Sequence, residues 1–461
     1  DRSFSINKEG GIADKADVNV VRNLQSDWDY GHLTIDRSAD LNLGKYSQEG
    51  RWYNEWFSSS LYNGATIIPE SVVTAEDVEI NFNLQNNKWY FITFPFDVNV
   101  KDIVVDEDAL WVVRKYSGED RANLTGNTWQ NMTDDTVLKA GEGYIFNCAK
   151  EDGDHVSFKI RPAANGNALF ANTSVSKQLK EYASEFAHNA SWNLVGNSYP
   201  AYLNIKGVDF DAPITVWENG SYYAYLPLDD DLALQPFQAF FVQHQGVEGG
   251  DVVTLNPAAR AHSSEAALAL EFAESQTRSA STADRSLFNI HIKGEAGADR
   301  TRIVLNEEAS ASYETNRDAS KFMSSEESVP QIFVNNNSVR MAINEAPVGN
   351  GIFTLGSRIG KKGTYTISLD SRDALGYEVI LTDNVTGVST DLNHETYTFE
   401  ADAATDDQRF TVSFNKLSGV DAVAADGIAV NVVGNTLNVT SDNVVDIIVV
   451  ALDGKTVASE K

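Results

Sequence analysis

Apolar and polar residues alternate in short runs along most of the chain, as in Val18-Asn19-Val20, Val78-Glu79-Ile80-Asn81-Phe82, Phe158-Lys159-Ile160 and Tyr365-Thr366-Ile367-Ser368-Leu369. A period of two puts the apolar side chains of a run on one face of a strand, and the frequent Gly and Asn breaks supply turns, so the pattern predicts antiparallel sheets. The fold class that follows is all-β: several tandem antiparallel β-sandwich domains, Ig-like or jelly-roll-like, with one or two short helices.

A degenerate repeat organises the first half. Residues 89–98 (WYFITFPFDV) correspond to residues 192–203 (WNLVGNSYPAYL), each an aromatic strand leading to a proline that ends regular pairing. Similar pieces follow in the same order: 110–116 with 214–225, 138–148 (LKAGEGYIFNC) with 234–244 (LQPFQAFFVQH), and 156–162 with 252–257. The simplest geometry is two halves of one sandwich, or two packed β-modules, over residues 86–260. Between the halves, Leu179, Tyr182, Ala183 and Phe186 stand at i, i+3, i+4 and i+7. That spacing predicts a capping helix near 176–188.

The remaining boundaries come from shifts in composition. Residues 258–284 are rich in Ala, Ser and Glu, which predicts a linker over 261–284, part strand or helix. The β pattern resumes over 285–416 as one sandwich, with turns at Gly349-Asn350-Gly351, 360–363 and 383–387, and a short helical turn at 318–324. Residues 417–461 hold three strand patterns of a small, partial sandwich. The first 85 residues read as a β segment, the end of a larger upstream domain, with an aromatic cluster over 46–62.

At 461 residues the chain exceeds what one hydrophobic core covers, in keeping with three or four domains. Its net charge of -30 repels phosphate backbones and anionic headgroups, so nucleic acid is not expected as a partner. The one cysteine, Cys148, excludes an intramolecular disulfide and reads as a small core side chain. No apolar run approaches the ~20 residues of a transmembrane segment. The opening Asp1-Arg2-Ser3 is not a signal segment, so a mature or trimmed part of a longer protein is expected. Eight Asn-x-Ser/Thr sequons are present, at a density that an Asn-rich chain produces by chance.

No catalytic constellation stands out. The histidines, His32, His155, His188, His244, His262, His291 and His394, are scattered without metal-ligand spacing, and HExxH, paired CxxC and Gly-x-Ser-x-Gly are missing. Asp229, Asp230 and Asp231 are candidate calcium ligands, because hard cations want clustered carboxylates, with Asp106-Glu107-Asp108 behind them. No other cofactor is expected. Asn219-Gly220 is a strong two-residue hairpin signal. It sets Trp217 opposite Tyr222 on one face, and Ile214, Val216, Tyr223 and Tyr225 on the other. Trp217 and Tyr222 are therefore candidates for a ligand-contact platform on which a sugar ring could stack, weighed against packing under a neighbouring domain.

Several stretches resemble exported surface proteins of the Bacteroidota. The pairs WYFITFPFDV with LKAGEGYIF, and WNLVGNSYP with LQPFQAFFV, are similar to aromatic β-modules of that phylum. The span 299–322 (DRTRIVLNEEASASYETNRDASKF) with SVPQI at 328–332, Gly363-Thr364-Tyr365-Thr366-Ile367 and Arg409-Phe410 resembles the sandwich that precedes a terminal sorting module. Residues 420–457, with Leu452-Asp453-Gly454-Lys455, are similar to the start of a type IX secretion sorting domain that lacks its final glycine-tyrosine strand and basic tail. The resemblance implies passage across the outer membrane to the cell surface or medium and does not imply a reaction. Asp135-Thr136-Val137 fits the phylum's O-glycosylation pattern, which marks Thr136.

The expectation is a non-catalytic, exported binding, adhesion or scaffold protein whose partner is carbohydrate or protein on a host or bacterial surface. An alternative is the accessory C-terminal region of a larger carbohydrate-active enzyme or protease. A third is a hydrolase with its site where residues 1–85 meet the first sandwich.

Overall fold

The computed structural model describes residues 80–163, 173–246, 251–270, 285–370 and 376–417, together with the backbone of ten strands outside them. Those ten are Arg2–Ile6, Gly31–Ile35, Leu41–Asn42, Glu55–Phe57, Thr66–Pro69, Val73–Thr74, Ile428–Val433, Thr436–Ser441, Ile447–Val450 and Thr456–Glu460. The protein is an all-β chain of several mostly antiparallel sheets, with two short α-helices among the described residues, Gly118–Ala122 and Ser264–Leu268. It divides into two compact units. One is formed by Asp1–Glu218, Tyr222–Ala280 and Ser312–Ser320, the other by Asn219–Ser221, Ser281–Ala311 and Lys321–Lys461.

In the first unit the repeat becomes two modules with the same strand order. The inner sheet of the first module runs Trp129–Asn131, Leu110–Tyr116, Tyr144–Ala149, Lys88–Ile92. That of the second runs Ser221–Tyr225, Ile214–Glu218, Ala239–Gln243, Trp192–Gly196. The outer sheets match as well. Val104–Val105, His155–Ile160 and Ile80–Gln85 stand in one module where Val208–Asp209, Val252–Leu255 and Val175–Gln178 stand in the other. The interior of each module is filled mainly by its own strands. In the first, Phe82, Phe158 and Phe146 stack with centroids 4.5 and 4.2 Å apart, and Trp111 stacks on Phe146 at 5.6 Å. In the second, Ile214, Val216, Phe240, Val242, Val253 and Leu255 form the core, with Tyr223 and Tyr225 against it.

The modules meet through reciprocal backbone contacts that follow the repeat. Ile92 bridges Gln238, and the equivalent residues Val195 and Glu142 bridge each other. Thr93 N donates to Phe237 O at 2.8 Å, and Gly196 N donates to Gly141 O at 3.2 Å. A Cβ on Gly196 would stand 2.5 Å from Thr93 Cγ2 and 2.9 Å from Gln238 O, so this approach needs glycine. Gly141 and Phe237 both have left-handed backbone, φ 70° and 59°. For the phenylalanine that conformation is costly, and it places the ring in the first module's core, 5.8 Å from Phe82.

Parallel pairing, which alternation alone does not predict, appears before residue 80. Arg2–Ile6, Gly31–Ile35 and Thr66–Pro69 lie side by side in parallel, as do Leu41–Asn42 and Val73–Thr74, while Glu55–Phe57 adds in parallel to Ile80–Gln85. The aromatic side chains of 46–62 lie outside the described residues.

The expected helix at 176–188 is replaced by strand and loop. Val175–Gln178 pairs with Val252–Leu255, and the next backbone groups go to side chains at the start of the following strand and just before it. Asn193 accepts from Lys180 N and donates to Lys180 O, and Ser191 Oγ accepts from Tyr182 N. These bonds satisfy groups that a helix would have paired internally. The linker expected over 261–284 is partly structured. Arg260–Ala261 pairs with Tyr202 and Leu203, and Ser263 caps Ser264–Leu268, whose Ala267 is fully buried and accepts from Asn204 Nδ2. Residues 271–284 lie outside the described residues.

In the second unit one continuous sheet runs Ser389–Asp391, Tyr377–Asp383, Ala404–Lys416, Ile352–Ile359, Gln331–Asn336, Val339–Ala346, Gly297–Leu305, Ser286–Gly294, Gly363–Asp370, Tyr397–Ala401. Neighbours are antiparallel except Gly297–Leu305 with Val339–Ala346. The sheet closes over itself: Phe288 lies 4.5 Å from Phe414 and 5.4 Å from Tyr377, ring centre to ring centre, although these strands are far apart in its order. The helical turn expected at 318–324 is not formed, and Ala319–Ser320 is a short strand. Further on, Ile428–Val433 pairs with Thr436–Ser441, and Ile447–Val450 with Thr456–Glu460. The side chains quoted from 420–457 lie outside the described residues.

Candidate functional site

The Asn219-Gly220 turn forms as its sequence dictates, with φ 48° and 82°, and sets Trp217 and Tyr222 on the face away from the module core. That face is covered by the first module. Tyr222 is 9% exposed, Trp217 is half-buried, and their rings meet at 64° with centroids 4.7 Å apart. Phe91 of the first module lies 5.8 Å from Trp217 and 5.7 Å from Tyr222, with Phe241, Trp129 and Tyr116 completing the cluster. Packing under a neighbouring module, the reading weighed against a stacking platform, is the environment in which both rings lie.

Several of the other sequence candidates make local hydrogen bonds or ion pairs. Asp230 accepts from Leu226 N at 2.7 Å and Asp231 pairs with Lys206 at 2.5 Å, so two of the three carboxylates are held by a turn and a lysine. Among the described residues no group of three His, Cys, Asp or Glu side chains gathers where it could hold a metal ion. Asp106 accepts from Ser157 N at 3.0 Å and pairs with Lys150. Thr136 donates its hydroxyl to Thr133 O at 2.6 Å and is half-buried. Burial, helped by the nearby Asp106 charge, pushes the Cys148 thiol up to about 12, which leaves it unreactive near neutrality.

A small, open cleft lies where the two modules meet. Its floor is Trp192, Leu194 and Val195, and its rim carries Lys115, Lys177, Lys180, Glu142 and Tyr182. Lys115 stands on the strand Leu110–Tyr116 and Lys177 on Val175–Gln178. Lys180 and Tyr182 are set by Asn193 and Ser191, and Glu142 sits in the turn that bridges Val195. Lys115 Nζ donates to Glu142 Oε2 at 2.6 Å, Lys177 Nζ lies 3.5 Å from Oε1, and the Tyr144 hydroxyl donates to Oε2 at 3.2 Å.

Burial works to raise the Glu142 carboxyl, but the Lys115 hydrogen bond and charge, the Lys177 charge and the Tyr144 hydroxyl outweigh it and hold it below the usual carboxylate range. Glu142 is thus a fixed anion rather than a proton donor. Each lysine has three N–H donors; Glu142 takes one from Lys115, and Lys177 gives one to Ala140 O at 3.4 Å, so donors remain for another acceptor. Lys180 is exposed and has no acidic partner among the described residues. Three lysines against one glutamate make the rim cationic in a chain of net charge -30.

Reading the sequence did not single out this site. A usable signal lay in the repeat, where Glu142 of LKAGEGYIF occupies the position of Gln238 in LQPFQAFFV.

A family model described as a domain of unknown function (DUF8693) matches residues 211–414, so the chain resembles that family over this stretch. No curated protein and no solved structure matches the chain.

Proposed function

We propose that this is an exported, non-catalytic binding and scaffold protein of the Bacteroidota surface, and that the lysine-rimmed cleft takes an acidic group of its ligand, the carboxylate of an acidic glycan. The observation that carries the reading is the convergence of Lys115, Lys177 and Lys180 on one concave site of an otherwise acidic chain. Ammonium groups around a cleft recognise carboxylates by charge-assisted hydrogen bonds. The half-buried Tyr182 ring beside them offers a face to a sugar. The seam between the modules supports a scaffold role, because aromatic rings locked between two sheets hold the cleft walls in fixed register. Export and surface attachment rest on the resemblance of residues 86–461 to secreted proteins of that phylum.

A glycan array with wild type and Lys180→Ala tests it. Lys180 has no acidic partner to strand among the described residues, so the variant should fold normally. The expected result is wild-type signal on uronic-acid and sialic-acid glycans and loss of about tenfold in affinity in the variant, the effect of roughly one charge-assisted hydrogen bond. Equal binding by both proteins, or a signal confined to neutral glycans, would remove the cleft from the function.

A further inference from the structure

Inside the second unit a lysine and an aspartate meet with neither side chain reaching solvent. Lys321 Nζ lies 2.6 Å from Asp299 Oδ1, and both side chains are 0% exposed. The oxygens of the carboxylate are held separately. Ser221 Oγ donates to Oδ1 at 2.9 Å, and the Ile332 amide donates to Oδ2 at 2.8 Å. The Ser221 hydroxyl is fixed in turn by Gln331 Nε2 at 2.8 Å, and Nζ also donates to Arg300 O at 3.3 Å. Gln331 and Ile332 are themselves fully buried.

A charged pair in such a place is a weak source of stability, since removing two ions from water costs about as much as their attraction returns. Burial pushes the Lys321 amine below its usual range, against the pull of Asp299. A proton passed from Nζ to Oδ1 leaves a neutral amine beside a neutral carboxylic acid, the pair of states from which an amide forms.

We propose that Lys321 and Asp299 are joined by an intramolecular amide bond between Nζ and Cγ. The amine attacks Cγ, and the negative charge that gathers on Oδ2 is met by the Ile332 amide, as a backbone donor meets an oxyanion. The Cγ–Oδ1 bond breaks, and Oδ1 leaves with two protons from Nζ while the Ser221 hydroxyl hydrogen-bonds it. An ammonium and a carboxylate become one secondary amide and one water, with no oxidant, reductant or co-reactant. The surrounding fold fixes amine and acid against each other, which replaces a bimolecular encounter by an oriented one. The product removes both charges from the interior and ties the strand Gly297–Leu305 to the chain after Ala319–Ser320.

Tryptic peptide mass spectrometry of the full wild-type chain decides the matter. The expected species joins residues 294–300 to residues 318–340, uncut after Lys321, and is one water lighter than the sum of the two peptides. Recovery of 294–300 as a free peptide, with cleavage after Lys321 and no joined species, would overturn the proposal. Lys321→Arg, which retains a cation, should lose the joined species and lower the melting temperature. Should that variant not fold, the wild-type masses still give the answer.

Discussion

Asp383 opens the turn before Gly387, and its side chain is fully buried. Burial alone would raise its carboxyl, but the Arg409 hydrogen bonds, the Tyr397 hydroxyl, the Val385 amide and the Arg409 charge outweigh that and hold it below its ordinary value. Arg409 grips it with two bonds, Nε to Oδ1 at 3.1 Å and Nη2 to Oδ2 at 2.8 Å, while Tyr397 donates to Oδ2 at 2.8 Å. A carboxylate with a depressed folded pKa contributes stability that is present above its unfolded pKa and lost as pH falls through the folded one. Asp383→Asn should therefore destabilise the second unit by about 3 kcal/mol at neutral pH, as expected for breaking a buried pair. The gap to wild type should narrow below about pH 4. Urea titrations at pH 7 and pH 3 measure both, and a gap independent of pH would refute the assignment. The turn at 383–387 was legible in the sequence, but Arg409 as its anchor was not, because 26 residues separate the partners.

At the scale of elements, the hairpin of Ile214–Glu218 and Ser221–Tyr225 shows how far a local pattern reaches. Its turn and the division of its faces follow from Asn219-Gly220 and alternation, and Ile214 and Val216 do enter the core. What covers Trp217 and Tyr222 depends on Phe91, Trp129 and Phe241, which other elements supply. Phe241 is the hub of that seam and is 1% exposed. Phe241→Ala should cost about 3–5 kcal/mol, the usual loss for a large aromatic truncated in a packed interior. Unfolding followed by tryptophan fluorescence should show the earlier midpoint, and a loss under about 1 kcal/mol would mean that the seam does not brace the modules. The stretch 176–188 shows the converse. Its helical spacing is real, yet Asn193 and Ser191 take its backbone bonds and a strand forms first.

For the molecule as a whole, 66 acidic against 36 basic residues create self-repulsion that salt relieves. The melting temperature should rise between low salt and physiological ionic strength, where the screening length falls to about 8 Å. Binding at the lysine cleft should weaken over the same range, since exposed ammonium groups are screened too. Calorimetry and binding titrations across a salt series separate the two responses, and tighter binding at higher salt would contradict an electrostatic cleft.

Alternation, turn residues and the internal repeat determined that this chain is built of strands, where many of them lie, and that two stretches repeat the same pieces in one order. The period of a strand names its faces without naming what lies across from them. Only the tertiary structure turned an exposed-looking Trp-Tyr pair into a seam, stacked the early strands in parallel, gathered three lysines around Glu142 and enclosed Lys321 with Asp299. Each of these depends on residues distant along the chain, whose meeting is fixed by the packing of whole sheets rather than by any local preference.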